Sequence, residues 1–195
     1  MSTSPATYHH GSLRDALLAE GLAALEGPAG KEPSLRELAR KVGVSPTAVY
    51  RHFPDKQALT HALASEGLKR LSEAQHDAAR DAPDEASRFA QTGRAYVRFA
   101  LAHPVLFRLM FGQGRPVQHD EASDPARELL NEITQGLTRT PQDAERLALQ
   151  AWSIAHGIAM LMLDGRISTD DALIDQLLDT KSLFPVQGTS SEESP

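Results

Sequence analysis

Between Ser34 and Asp55 the chain carries helix start and stop signals so closely spaced that only two short helices fit. Ser34, followed three residues later by Glu37, has the form of a capping box, in which each side chain satisfies the other residue's backbone N–H. Gly43 stops that helix by supplying the backbone conformation that a side chain resists. Ser45 then opens a third helix as N-cap, with Pro46 at the first position, where the missing N–H costs nothing. Pro54 ends it, and Asp55 caps a longer fourth helix. Leu35, Leu38, Ala39 and Val42 give the second helix an apolar face, and Val44, Val49 and Phe53 turn inward from the third. Two short helices joined by a Gly-containing turn, with Ala39, Val44 and Val49 where they cross, have the sequence form of a helix-turn-helix.

The rest of the chain is helical by the same criteria. Alternation of β-branched residues is absent, and Ala, Leu, Arg and Glu recur at 3.6-residue spacing, so the fold class is all-α with about nine helices. Ser12 with Asp15 opens the first, whose Leu13, Leu17, Leu18, Leu22 and Leu25 face inward before Gly27-Pro28. The fourth runs from about Lys56 to Ala79. Others are expected over Asp84 to His103, Pro104 to Gly112, Asp124 to Thr138, Pro141 to Asp164 under a Thr140 cap, and Thr169 to Lys181. Gly114 to Ser123 reads as a loop, and the Ser/Glu-rich stretch Gln187 to Pro195 as disordered.

Composition removes several functions. The 195 residues are enough for one ordinary domain, or for a small one fused to a larger one. Without cysteine there are no disulfides and no thiolate chemistry, which suits a reducing cytoplasm. The N-terminus lacks the pattern of a signal peptide, and Leu147 to Leu163, interrupted by Gln150, Ser153, His156 and Gly157, reads as a buried helix and not a membrane span. No cofactor is expected. His9 and His10 lack a third metal ligand, there is no Gly-rich phosphate loop or nucleophile elbow, and Ser153 near His156 has no acid to orient the imidazole. An enzyme is therefore not expected. Net charge is −6, yet residues 1–70 balance at +2 and the remainder at −8. A mildly basic head on an acidic body suggests that only the head meets a polyanion, although chance can also distribute charge unevenly.

The third helix turns Thr47, Ala48, Tyr50 and Arg51 outward. Arg can donate twice to guanine and Thr or Ala methyls can contact thymine, while Tyr50, His52 and Lys56 can reach phosphates, as can free N–H groups where Ser34 and Ser45 begin helices. A merely solvated helical hairpin satisfies the same pattern. The run from Leu13 through "SLRELARKVGVSPTAVYRHFPDKQAL" closely resembles the DNA-binding head of the TetR, or tetracycline-repressor-like, transcriptional regulators, including the Tyr50-x-His52-Phe53-x-x-Lys56 ending. That resemblance implies base contacts from Thr47, Ala48 and Arg51, phosphate contacts from Tyr50, His52 and Lys56, and a dimer with a divergent helical ligand domain. Expected boundaries are 1–55 for the DNA-binding head, 56–186 for an effector-binding and dimerisation domain, and 187–195 for the tail.

"YHHGSLRDALL" and "AWSIAHGIAMLMLDG" look like the subgroup whose C-terminal domain carries Trp-x-x-x-His-Gly, here Trp152, His156 and Gly157. Trp152 and His156 share a helix face, and Gly157 lets another helix approach. They are either walls of an effector pocket or a satisfied core histidine beside a packing tryptophan. Tyr96, Phe99, Phe107 and Met110, in a stripe with Phe89 and Phe111, are likewise either cavity lining or core. The implied effector is small and mostly apolar, oriented by a few polar groups such as His156, Tyr96 and Arg98. The excess apolar surface of the eighth helix, with Leu173, Ile174, Leu177 and Leu178 of the last, predicts a homodimer built from these two helices. The expected function is a ligand-responsive regulator, a repressor of a palindromic operator. The alternative is a helical sensing or protein-interaction module without operator binding.

Overall fold

The computed structural model describes residues 10–28, 30–112 and 125–179, and among them there are nine helices and no strand. In chain order these are α1 (His10–Glu26), α2 (Leu35–Val42), α3 (Pro46–His52), α4 (Lys56–Ala79), α5 (Glu85–Ala102), α6 (Pro104–Phe111), α7 (Pro125–Leu137), α8 (Pro141–Leu163) and α9 (Asp171–Leu177). The expected 114–123 loop, the 187–195 tail, His9 and Lys181 lie outside the described residues. The chain divides into two compact units, residues 1–70 with 103–124, and 71–102 with 125–195.

In the first unit α1 packs on α2, α3 and α6. Leu17, Leu38, Val49, Phe53, Leu59 and Leu63 are almost wholly removed from solvent, and each such side chain stabilises the fold by roughly 1.5–3 kcal/mol. The Leu63 methyl lies 2.8 Å from where a Cβ on Gly21 would stand, so α1 and α4 approach this closely only over a glycine. Arg14 carries its guanidinium 5.6 Å from the centre of the Phe53 ring. Helix α1 starts at His10, before the Ser12 expected to cap it; a serine costs little inside a helix, so nothing halts the extension.

In the second unit α8 packs chiefly on α5 and α7. Ala144, Ala148, Ala155 and Ala159 form its inner face, and their small side chains let α5 come close, with Val97 and Ala100 buried opposite. Thr140 caps α8 as its side chain accepts the Asp143 N–H at 3.1 Å. The expectation of a buried helix is corrected here. Leu149, Trp152 and Leu161 are 59%, 43% and 47% exposed, because one stripe of α8 fills the core while the opposite stripe is also apolar. Length and composition would let α8 cross a membrane, but its inner stripe is committed to α5 and α7. Helix α9 is shorter than expected, since the Asp170 carboxylate captures the Ala172 N–H at 3.0 Å and starts the helix at Asp171.

Candidate functional site

The turn between α2 and α3 is built by its caps. The Ser34 hydroxyl accepts the Glu37 N–H at 3.2 Å, and the Glu37 carboxylate accepts the Ser34 N–H at 2.7 Å, completing the capping box. The hydrogen bond from the Ser34 backbone holds the Glu37 carboxyl below its ordinary range. A negative charge thus already occupies the start of α2, where a phosphate was expected. Gly43 takes φ +76°, and the Val44 N–H returns to the Ala39 carbonyl at 2.9 Å. A Cβ at Gly43 would meet nothing, so conformation and not space demands the glycine. Ser45 caps α3 by accepting the Ala48 N–H at 3.3 Å, and no acid stands in the first turn of α3.

The face of α3 follows from its core anchors. Val49 and Phe53 are 0% and 1% exposed, which fixes the rotation of the helix and turns Thr47, Tyr50 and Arg51 outward with Ala48 half-buried beside them. Arg51 has no ion-pair partner among the described residues, so its fork of donors is available. His52 is half-buried. Lys56 is exposed but pairs with Glu32 at 3.3 Å, and the hydroxyl of Thr60 donates to the same carboxylate. A phosphate arriving at Lys56 therefore competes with Glu32.

The second unit holds a small cavity of about 50 Å³ among α4, α5, α7, α8 and the end of α9, with mostly apolar walls. Phe89, Tyr96 and Trp152 line it, as do Gln75 and Leu178. The Trp152 indole N–H donates to the Tyr96 hydroxyl at 3.2 Å, and that hydroxyl lies 2.9 Å from Nδ1 of His156. The phenol oxygen accepts from the indole and also pairs with the imidazole, where a neutral ring at His156 can take either role according to its tautomer. Burial pushes the His156 pKa down, which favours that neutral form. His156 touches the lining through Tyr96 and is not itself part of it.

Three sequence-selected residues lie elsewhere. Phe99 is buried off the cavity, and Phe107 and Met110 belong to the core of the first unit, Phe107 meeting Phe111 at a tilt with ring centres 4.9 Å apart and Met110 lying against Gly67. Arg98, expected to orient a ligand, instead pairs with Asp171 at 2.8 Å and Asp175 at 3.4 Å. Residues two apart on a helix face apart, so Arg98 cannot share the direction of Tyr96. Gly157 was expected to admit another helix, yet a Cβ there meets nothing within 4 Å. Ile174 and Leu178 of α9 are buried within their own unit, leaving Leu173 and Leu177 half-buried. Gln75 escaped sequence reasoning altogether, since a glutamine in a surface-patterned helix carries no periodic signal.

A capped helix-turn-helix in one unit and an apolar cavity in an all-helical second unit are the features of a DNA-binding regulator. Residues 31–63 match the bacterial regulatory proteins of the tetR family, and residues 89–181 match the tetracyclin repressor-like C-terminal domain. The chain belongs to the TetR family and is a ligand-responsive DNA-binding transcriptional regulator, not an enzyme. The C-terminal match names no Trp-x-x-x-His-Gly subgroup. A structure of a protein with unknown function from Rhodococcus sp. RHA1 is similar at 38% identity and a TM-score of 0.74, covering 91% of this chain and 95% of that one. An uncharacterized HTH-type transcriptional regulator, YobS of Bacillus subtilis (strain 168), is 24% identical over 148 residues, 74% of this chain and 75% of the relative. A TetR family transcription regulator from Marinobacter aquaeolei VT8 shares the fold at 20% identity and a TM-score of 0.62, over 87% of this chain and 93% of that one.

Proposed function

We propose that this regulator is a cytoplasmic repressor that binds a palindromic operator as a homodimer and releases it when a small, mostly apolar effector occupies the cavity of the second unit. The observation that carries the DNA side is the asymmetry of α3, with Val49 and Phe53 buried and Thr47, Tyr50 and Arg51 exposed. In this reading Arg51, Thr47 and Ala48 read base edges in the major groove. Tyr50, His52, Lys56 and the start of α3 at Ser45 hold phosphates, whereas one at Ser34 has to displace the Glu37 carboxylate from the first turn of α2.

The dimer reading rests on α8. Leu149, Ser153, Gly157 and Leu161 recur every four residues on the face opposite the core, and Leu149 and Leu161 are exposed. A glycine inside a helix costs about 1 kcal/mol relative to alanine, and no neighbour among the described residues accounts for Gly157. Close approach of α8 from a second copy would account for it, with Leu173 and Leu177 of α9 completing the interface. Effector binding draws support from the apolar cavity, whose walls include Tyr96 and Trp152 with His156 behind them. Helix α4 contributes residues to both units and is the path by which the two sites would be coupled.

Selection of bound sequences from random double-stranded DNA, followed by mobility-shift titration at several salt concentrations, tests this reading. A palindromic consensus and a steep salt dependence are expected. Uniform weak binding to all sequences would return α3 to the status of a solvated helix.

A further inference from the structure

Gln75, on α4, is 6% exposed and lines the cavity. Its Nε2 donates to the Thr92 carbonyl at 3.2 Å, which fixes which end of the amide is which, and its Oε1 is buried with no hydrogen-bond partner among the described residues. A buried acceptor left unsatisfied costs about 1–3 kcal/mol, so the site awaits a donor. The other polar groups of the lining are committed. The Thr92 hydroxyl bonds back to the Arg88 and Phe89 carbonyls, and the Tyr96 hydroxyl joins Trp152 to His156. No lining residue carries a formal charge, and Phe89, Tyr96 and Trp152 are its aromatic members.

We infer that the second unit selects a neutral, ring-sized apolar molecule bearing one hydroxyl or N–H, whose proton is received by Gln75 Oε1. The inference rests on the reading of this cavity as the effector site, and adds the class of ligand and the residue that chooses it. A carboxylate is disfavoured twice, by the absence of a facing cation and by repulsion from the amide oxygen. The volume is a further constraint. About 50 Å³ is roughly a third of the engineered 150 Å³ cavity that holds benzene, so a ring enters only if a wall yields. Leu178 is the wall that can do so. It caps the seven-residue α9, and its methyl lies at ordinary contact distance, 3.7 Å, from the Cβ position of Gly93.

Calorimetric titration of the full chain with phenol, toluene and benzoate provides the test, phenol and toluene being near-isosteres that differ in a hydroxyl for a methyl. The expected result is that Gln75→Met lowers the ratio of phenol to toluene affinity about three- to tenfold, the worth of one hydrogen bond. Gln75→Asn, which withdraws the acceptor while keeping an amide, should lower it as well. Leu178→Ala should tighten both compounds and leave the ratio as in the wild type, and benzoate should bind none of the four proteins.

An unchanged ratio in both Gln75 variants overturns the inference, since Oε1 would then hold a water. So would tight benzoate binding, or no binding of phenol in wild type and Leu178→Ala alike. Operator mobility shifts with and without phenol separate this from the reading beneath it. A ratio that responds as stated while phenol leaves operator affinity untouched keeps the role of Gln75 and removes ligand-controlled release. Release by phenol and toluene with an unmoved ratio does the reverse.

Discussion

The Tyr96 hydroxyl and Nδ1 of His156 stand 2.9 Å apart across the packed faces of α5 and α8, with the Trp152 indole N–H donating to the same hydroxyl. The ring is half-buried there, and burial penalises its protonated form. Burial lowers the His156 pKa in the folded chain, whereas in the unfolded chain it is about 6.5. The unfolded state therefore binds more protons below about pH 6.5, and stability from this site, complete above that value, is lost as pH falls toward the folded pKa. Thermal unfolding at pH 7.5 and 5.5 should show a larger loss on acidification for wild type than for His156→Phe. Equal losses in the two proteins would mean that burying this ring carries no cost on protonation.

On the DNA side, Arg51 and Lys56 should fail in different ways. Arg51→Ala should cost about 1–3 kcal/mol at a selected operator and relax preference at one base pair, and Lys56→Ala should weaken all sequences alike and reduce the salt slope by about one. Mobility shifts on the consensus and on single-base variants distinguish the two patterns.

The Glu32 carboxylate that holds Lys56 at 3.3 Å supplies a change of opposite sign. Glu32→Gln should release the ammonium and remove a negative charge, raising affinity for specific and unrelated DNA together. The specificity ratio should stay constant, and the gain should fade at high salt. Filter binding to the operator and to an unrelated duplex reads both quantities.

Gly157 decides between a solvated α8 and an interface. Gly157→Ala should raise the stability of an isolated protomer by up to about 1 kcal/mol through helix propensity, while Gly157→Leu should convert a dimer to monomer by keeping two α8 helices apart. Light scattering at micromolar concentration checks the second outcome. A monomeric wild type would remove the dimer from the proposal.

The turn and its anchor carry the stability of the head. Gly43→Ala forces a side chain into φ +76° and should cost about 1–2 kcal/mol, and Phe53→Ala should cost about 3–5 kcal/mol through lost burial and a cavity beneath α3. Denaturant melts followed by circular dichroism report both, and equal stability of Gly43→Ala would show that the turn can take another form.

What the sequence determined by itself was everything governed by neighbours a few residues away. Ser34 with Glu37, Gly43, Ser45-Pro46, Asp55 and Thr140 act over one turn of helix, so the boundaries of α2, α3, α4 and α8 could be read directly, and the inward turn of Val49 and Phe53 followed from helical periodicity. Where two local signals compete the reading failed by a few residues, as when Asp170 captured the start of α9 ahead of Thr169. Tertiary structure alone decided which apolar residue faces which neighbour. Phe107 and Met110 were drawn into the core of the first unit, Arg98 was claimed by Asp171 and Asp175, and α8 was left half-covered because α5 and α7 pack against one of its two apolar stripes. The same holds for Lys56 beside Glu32 and for the unpaired oxygen of Gln75. Hydrogen bonds and ion pairs between distant segments depend on ångström-scale placement, which no pattern along the chain records, and burial of a polar atom acquires meaning only after the walls around it have closed.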